Sequence, residues 1–141
     1  MRGDSPIIAQ RKSATPAPTQ YIDTRHSQRV FRASQAMESG VERCAAKLEG
    51  QTFIACVANE LNKYSQRLSI RGAEIVGAAN ARTAATGVRA APTAAAAASV
   101  LSRAAAIVRS LATSSERDTR RAYNRIDQAF TRASNIVGGK S

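Results

Sequence analysis

The chain is 141 residues long with a formal charge of +11, and 43% of it is hydrophobic although aromatics make up only 4% and tryptophan is absent. That length suits one domain able to bury a core without metal or cofactor. The composition excludes a bulky aromatic core: much of the apolar count is alanine, which buries little area per residue, so the core is expected to be thin and to depend on close helix approach.

The first twenty residues carry Pro6, Pro16 and Pro18 among Ser, Thr, Ala and Gln. Such a stretch buries too little area to offset its ordering entropy, and residues 1–20 read as an extended or disordered arm. Within it, Arg2-Gly3-Asp4-Ser5-Pro6 resembles the integrin-binding tripeptide in its fibronectin context. Five residues match by chance too readily to carry a function, and nothing else in the chain resembles a matrix protein. Met1 to Gln20 is polar and Pro6-Ile7-Ile8-Ala9 is too short for the apolar core of a secretory signal. Asp4 and Asp23 argue against a transit peptide.

The helical domain is expected over 21–138, with 139–141 as a tail. Thr19 to Asp23 offers N-caps for a first helix over 21–49, whose buried stripe is Val30, Ser34, Met37, Val41, Cys44 and Leu48. Gly40 interrupts it at a cost of about 1 kcal/mol relative to Ala. Gly50 fits the left-handed position at a helix end, Thr52 is expected to cap the next helix, and that helix over 52–71 aligns Ile54, Val57, Leu61, Tyr64 and Leu68. Two such stripes joined by a few residues predict an antiparallel hairpin.

Cys44 and Cys56 lie equally far on either side of Gly50, so the hairpin brings them level, within reach of the roughly 5.5 Å Cα separation of a disulfide. The other reading is a pair of reduced, buried small side chains; the levelling favours the disulfide. The arrangement is similar to the cysteine-linked helical hairpins of small exported or intermembrane-space proteins, which usually carry two bridges, whereas this chain can form one. Two cysteines and the distant His26 do not supply four metal ligands.

A third helix over 73–91 aligns Gly77, Ala81, Ala84 and Val88 on one face, and Pro92 then opens a fourth over 92–112. The fourth has a stripe of Val100, Leu101, Ala104, Ile107, Val108 and Leu111, with Arg103 and Ser110 opposite. Ala94 to Leu111 is the most apolar stretch, but Arg103 and Arg109 make it fall short of an uninterrupted membrane span. The last helix, over 114–137, is expected to begin at a Thr113–Glu116 capping box and to bury Tyr123, Ile126, Phe130, Ala133 and Val137. Arg117, Arg121, Arg125 and Arg132 fall nearly opposite that stripe and, with Arg120, form an exposed basic face about four turns long. Glu116–Arg120 and Asp118–Arg121 pairs are expected to satisfy part of it.

The fold class is therefore all-α: a small bundle of about four to five antiparallel helices with an N-terminal hairpin. No catalytic or cofactor-binding motif is visible. His26 has no partner at triad spacing, Glu38 and Glu42 lack a second carboxylate–histidine element for a metal pair, and neither a phosphate loop nor a nucleophile elbow occurs. These features lead to a non-enzymatic helical scaffold or assembly subunit, docking on itself or on a larger complex through Ala-rich faces and presenting a basic face to acidic partners. The alternative is a small nucleic-acid-binding protein using the arginine face, since arginine keeps its charge and grips phosphate with paired hydrogen bonds. The cysteine hairpin points to an oxidising compartment, and the polar start of the chain to cytosol or a virion.

Overall fold

The computed structural model describes residues 17–68, 73–113 and 115–141, with side chains from Gln28 onward apart from Ala73. Residues 1–16, which hold most of the expected arm and the Arg2–Pro6 segment, lie outside it. Five helices fill the described residues: α1 (Ala17–Lys47), α2 (Gly50–Arg67), α3 (Ala73–Ala90), α4 (Ala94–Thr113) and α5 (Arg117–Gly138). α1 thus begins inside the stretch assigned to the arm, because the segment after Pro18 contains no further proline to block helical hydrogen bonds.

The helices run up and down in chain order, and α5 packs back on α1. With an odd number of helices this closure makes the first and last parallel. Arg125 and Arg132 of α5, and then Lys140 just beyond its end, meet successive α1 residues Glu38, Glu42 and Ala45. The N-terminal hairpin is antiparallel, as Ser34 pairs with Tyr64 across a 2.6 Å hydroxyl hydrogen bond and Cys44 with Cys56 further along. The two cysteines are disulfide-bonded, with Cα atoms 5.8 Å apart.

Burial follows the expected stripes closely. Val30, Ser34, Met37, Val41 and Cys44 of α1, Ile54, Val57, Leu61 and Tyr64 of α2, and the α5 set from Tyr123 to Val137 are all buried. The one clear departure is Ile107, half exposed at 51%, while Ala97, Ala105 and Ala112 take its place inside. At 100° per residue Ile107 lies about 120° round the helix from Leu101, outside the strip that α3 and α5 cover.

The thin core depends on close approach, as the alanine content implies. α3 buries Ala78, Ala81, Ala84, Ala85 and Val88 as its apolar residues. A methyl at Gly77 would come 2.7 Å from Ile126 Cδ1, and one at Gly87 2.8 Å from Val100 Cγ1. Gly40 serves the same purpose for a polar neighbour: its missing side chain makes room for the Glu60 carboxylate, which is buried and paired with Lys63 at 3.3 Å. Tyr64 and Phe130 meet edge to face at 5.9 Å in the centre, an arrangement that suits the ring quadrupoles.

The connections differ from expectation in detail. Gly50 has φ +59, as a left-handed residue at the hairpin turn should, but α2 begins at it, so Thr52 lies inside the helix and is not its cap. Thr93 caps α4, accepting from the backbone N–H of Ala96 at 3.1 Å, and Pro92 precedes the cap. The Thr113–Glu116 capping box does not form: α4 runs through Thr113, whose hydroxyl donates back to Ser110 O at 2.8 Å. The tail is docked, with Lys140 donating to Ala45 O at 2.9 Å, pairing with Glu49 and lying over Phe53. Its ammonium therefore ties the end of α5 to the first hairpin turn.

Candidate anion-binding surface

The up-down order brings together the middle of α1, around residues 28–36, the last turn of α2 and the first turns of α5. Each contributes arginines. Arg117, Arg120 and Arg121 of α5 line a shallow cavity of about 290 Å³ with Asn124, Arg125, Gln128 and Phe31 of α1. On the other flank of α1 a cavity of about 570 Å³ is lined by Arg29 and Arg32 of α1 and Arg67 of α2, with Gln28, Ala33 and Ala36. Phe31 is 51% exposed, unusual for a large apolar side chain in this molecule.

The sequence pattern places Arg117, Arg120, Arg121, Arg125 and Arg132 on one exposed face, and the structure divides them. Arg117, Arg120 and Arg121 are exposed. Among the described residues none of the three is paired with a carboxylate, so the expected Glu116–Arg120 and Asp118–Arg121 pairs are absent. Arg120 instead donates to Ser115 O at 3.1 Å.

Arg125 is not on the exposed face. Its guanidinium forks onto Glu38 of α1 at 2.8 and 3.2 Å, and the two side chains are only 11% and 12% exposed. It also lies 5.2 Å from the centre of the Phe31 ring, close enough for cation–π attraction. Arg132 reaches Glu42 at 2.6 Å while staying largely exposed, and that hydrogen bond raises its already high pKa. α5 has neighbours on two sides, so residues on its flank toward α1 meet the carboxylates that α1 presents there. Glu38 and Glu42, one turn apart, act as partners for α5 arginines. Arg109 of α4 is likewise joined to Asp127 of α5 by two hydrogen bonds at 2.9 and 3.0 Å.

The stripe spacing alone does not single out Arg29, Phe31, Arg32 or Arg67. The signal is local and readable: Arg29, Phe31 and Arg32 all lie off the Val30–Ser34–Met37 stripe, so an aromatic stands among arginines on the outer side of a helix. Arg67 needs the hairpin register to place it beside them. The Cys44–Cys56 bridge sits toward the opposite, turn end of the hairpin. No cluster of three or more His, Cys, Asp or Glu able to hold a metal occurs among the described residues, and the side chain of His26 is outside them.

α4 is, by length and composition, long and apolar enough to cross a membrane, with Arg103 and Arg109 interrupting its apolar run. In the bundle it is bound to α5 through the Arg109–Asp127 pair and a 2.8 Å hydrogen bond from Ser134 Oγ to Ala98 O. No family model, curated protein or solved structure matches the chain.

Proposed function

We propose that the protein is a non-enzymatic helical scaffold whose arginine-lined end docks onto a polyanionic partner. The observation carrying this reading is the convergence of Arg29, Arg32 and Arg67 on one flank of α1 and of Arg117, Arg120 and Arg121 on the other, all without a carboxylate partner among the described residues. Unpaired guanidinium groups held on packed helices bind phosphate or carboxylate oxygens without first breaking an internal ion pair. The arginines of α5 also stand at its N-terminus, where the helix dipole disfavours cations and favours anions. An anion there gains from both the charges and the dipole.

The test is retention on immobilised heparin for the parent chain and for the combined Arg117→Gln, Arg120→Gln and Arg121→Gln variant. These exposed substitutions should each change stability by no more than about 0.5 kcal/mol. Elution should move to clearly lower salt, and unchanged elution would refute the reading. Self-association is a second reading, favoured by the exposed α4 face where Ile107 stands beside Ser99, Arg103 and Ser110. It predicts a concentration-dependent sedimentation coefficient that Ile107→Glu abolishes.

A further inference from the structure

The arginines alone specify negative charge. Phe31 adds something that a phosphate or carboxylate ligand does not need. The side chain is half exposed although the other aromatic side chains of the described core, Phe53, Tyr64, Tyr123 and Phe130, are buried. It is also held in place: Arg125 lies over the ring at 5.2 Å, and Arg125 is itself fixed by its fork onto Glu38. A solvent-facing aromatic surface is thus set in position before any ligand arrives. Arg117, Arg120 and Arg121 line the same cavity, and the neighbouring α1 residue Arg32 faces the cavity shared with Arg29 and Arg67. A helix with its side chains is about 10–12 Å across, so both arginine groups lie within the span of a few nucleotides centred on Phe31.

We infer that this surface binds single-stranded nucleic acid, with a base stacked on Phe31 and the flanking phosphates held by the two arginine groups. The inference rests on the polyanion reading above and deepens it. A duplex keeps its base faces stacked inside, and only a single strand can present one to an exposed ring. Stacking accepts any base, so binding is independent of sequence, in keeping with the lack of an element placed in a groove. Engagement of all six arginines would give a slope of log affinity against log salt of about −4, at roughly 0.7 per phosphate for single strands.

The experiment compares three probes by fluorescence anisotropy and competition: a labelled oligothymidylate of about 20 nucleotides, longer than a single stacking site requires, a duplex of equal length, and inorganic polyphosphate as a chain of charge without bases. The oligothymidylate should bind more tightly than the duplex. Phe31→Leu, which keeps apolar bulk but removes the ring, should weaken oligothymidylate binding about 5- to 100-fold and leave polyphosphate binding unchanged. Phe31→Trp should restore it, and circular dichroism should verify that both variants fold. Equal binding of oligothymidylate by Phe31→Leu and the parent, or a duplex bound as tightly as the single strand, overturns the stacking inference while the polyanion reading stands. Failure of all three probes to bind overturns both.

Discussion

Replacing Arg125 by Gln should destabilise the fold severely, although its position opposite the buried stripe of α5 suggests a harmless surface change. The guanidinium makes two hydrogen bonds to Glu38, at 2.8 and 3.2 Å, with both side chains nearly buried. Glutamine is shorter and neutral, so the Glu38 carboxylate would remain largely withdrawn from water with its charge uncompensated. Breaking such a pair from one side costs about 3–5 kcal/mol, most of it the penalty on the stranded charge and little of it the worth of the pair. Loss of the cation over Phe31 adds to this. Total stability for a domain is about 5–15 kcal/mol, so the variant should lose a large fraction of it and melt about 10–20 °C lower. Arg132→Gln is the control, because its pair with Glu42 is about half exposed on both sides and solvent screens such a pair, so its loss should leave stability close to the parent's. Arg125→Met combined with Glu38→Met should recover most of the loss, since the pair as a whole is replaceable by apolar groups of similar length. Urea unfolding followed by circular dichroism measures all four proteins. Arg125→Gln within about 0.5 kcal/mol of the parent, or a double variant no more stable than the single, would refute the reasoning.

Reduction of Cys44–Cys56 should lower stability by about 3 kcal/mol, the chain-entropy value for a loop this short, read as a shift of the urea midpoint with and without reductant. Burial pushes the Tyr64 phenol well above its ordinary range, against the opposing effect of the Ser34 hydrogen bond. The folded state therefore keeps a proton that the unfolded state releases above about pH 10, and stability should fall by about 1.4 kcal/mol per pH unit there; Tyr64→Phe should flatten that slope. Gly40→Ala gains about 1 kcal/mol of helix propensity, but its methyl lands on the Glu60 carboxylate. Overpacking of about 1–3 kcal/mol should outweigh the gain, and adding Glu60→Ala should relieve it in a thermal-melt double-mutant cycle. Because charge repulsion at +11 opposes compaction, the melting temperature should rise as salt shortens the screening length from about 30 Å to about 8 Å; a fall would show that the ion pairs outweigh the repulsion.

The helices, their buried stripes and the cysteine pairing are legible in the sequence because each depends on local spacing. Tyr123, Ile126 and Phe130 recur at three and four residues whatever α5 packs against, and Cys44 and Cys56 are levelled by the turn between them. Helix ends are less legible, since capping is a contest among adjacent residues: Thr93 wins over Pro92 as the start of α4, and Thr113 is absorbed into its end. The candidate site is legible only in part. Arg117, Arg120 and Arg121 can be read from the α5 pattern, but the withdrawal of Arg125 depends on Glu38, 87 positions away in the chain. Opposition to the buried stripe identifies an exposed face only for a helix with one neighbour, and α5 packs against α1, α3 and α4.

The two ends of the bundle are unequally secured. Near the first hairpin turn the chain is cross-linked through Cys44–Cys56, and Lys140 joins α5 to Ala45 and Glu49. At the other end Arg29, Arg32 and Arg67 approach Arg117, Arg120 and Arg121 across one helix, and three of these sit where the dipole of α5 repels cations. Each arrangement at that end opposes the folded state of the free protein, and on the proposed reading each would be relieved by the same thing, an anion of extended charge. Exchanging Arg120 or Arg121 for Glu would ease the repulsion and suit the dipole, so stability alone does not account for arginine at these positions. The turn end supplies the stability against which that charge is held, and a bound polyanion would recover what the charge costs.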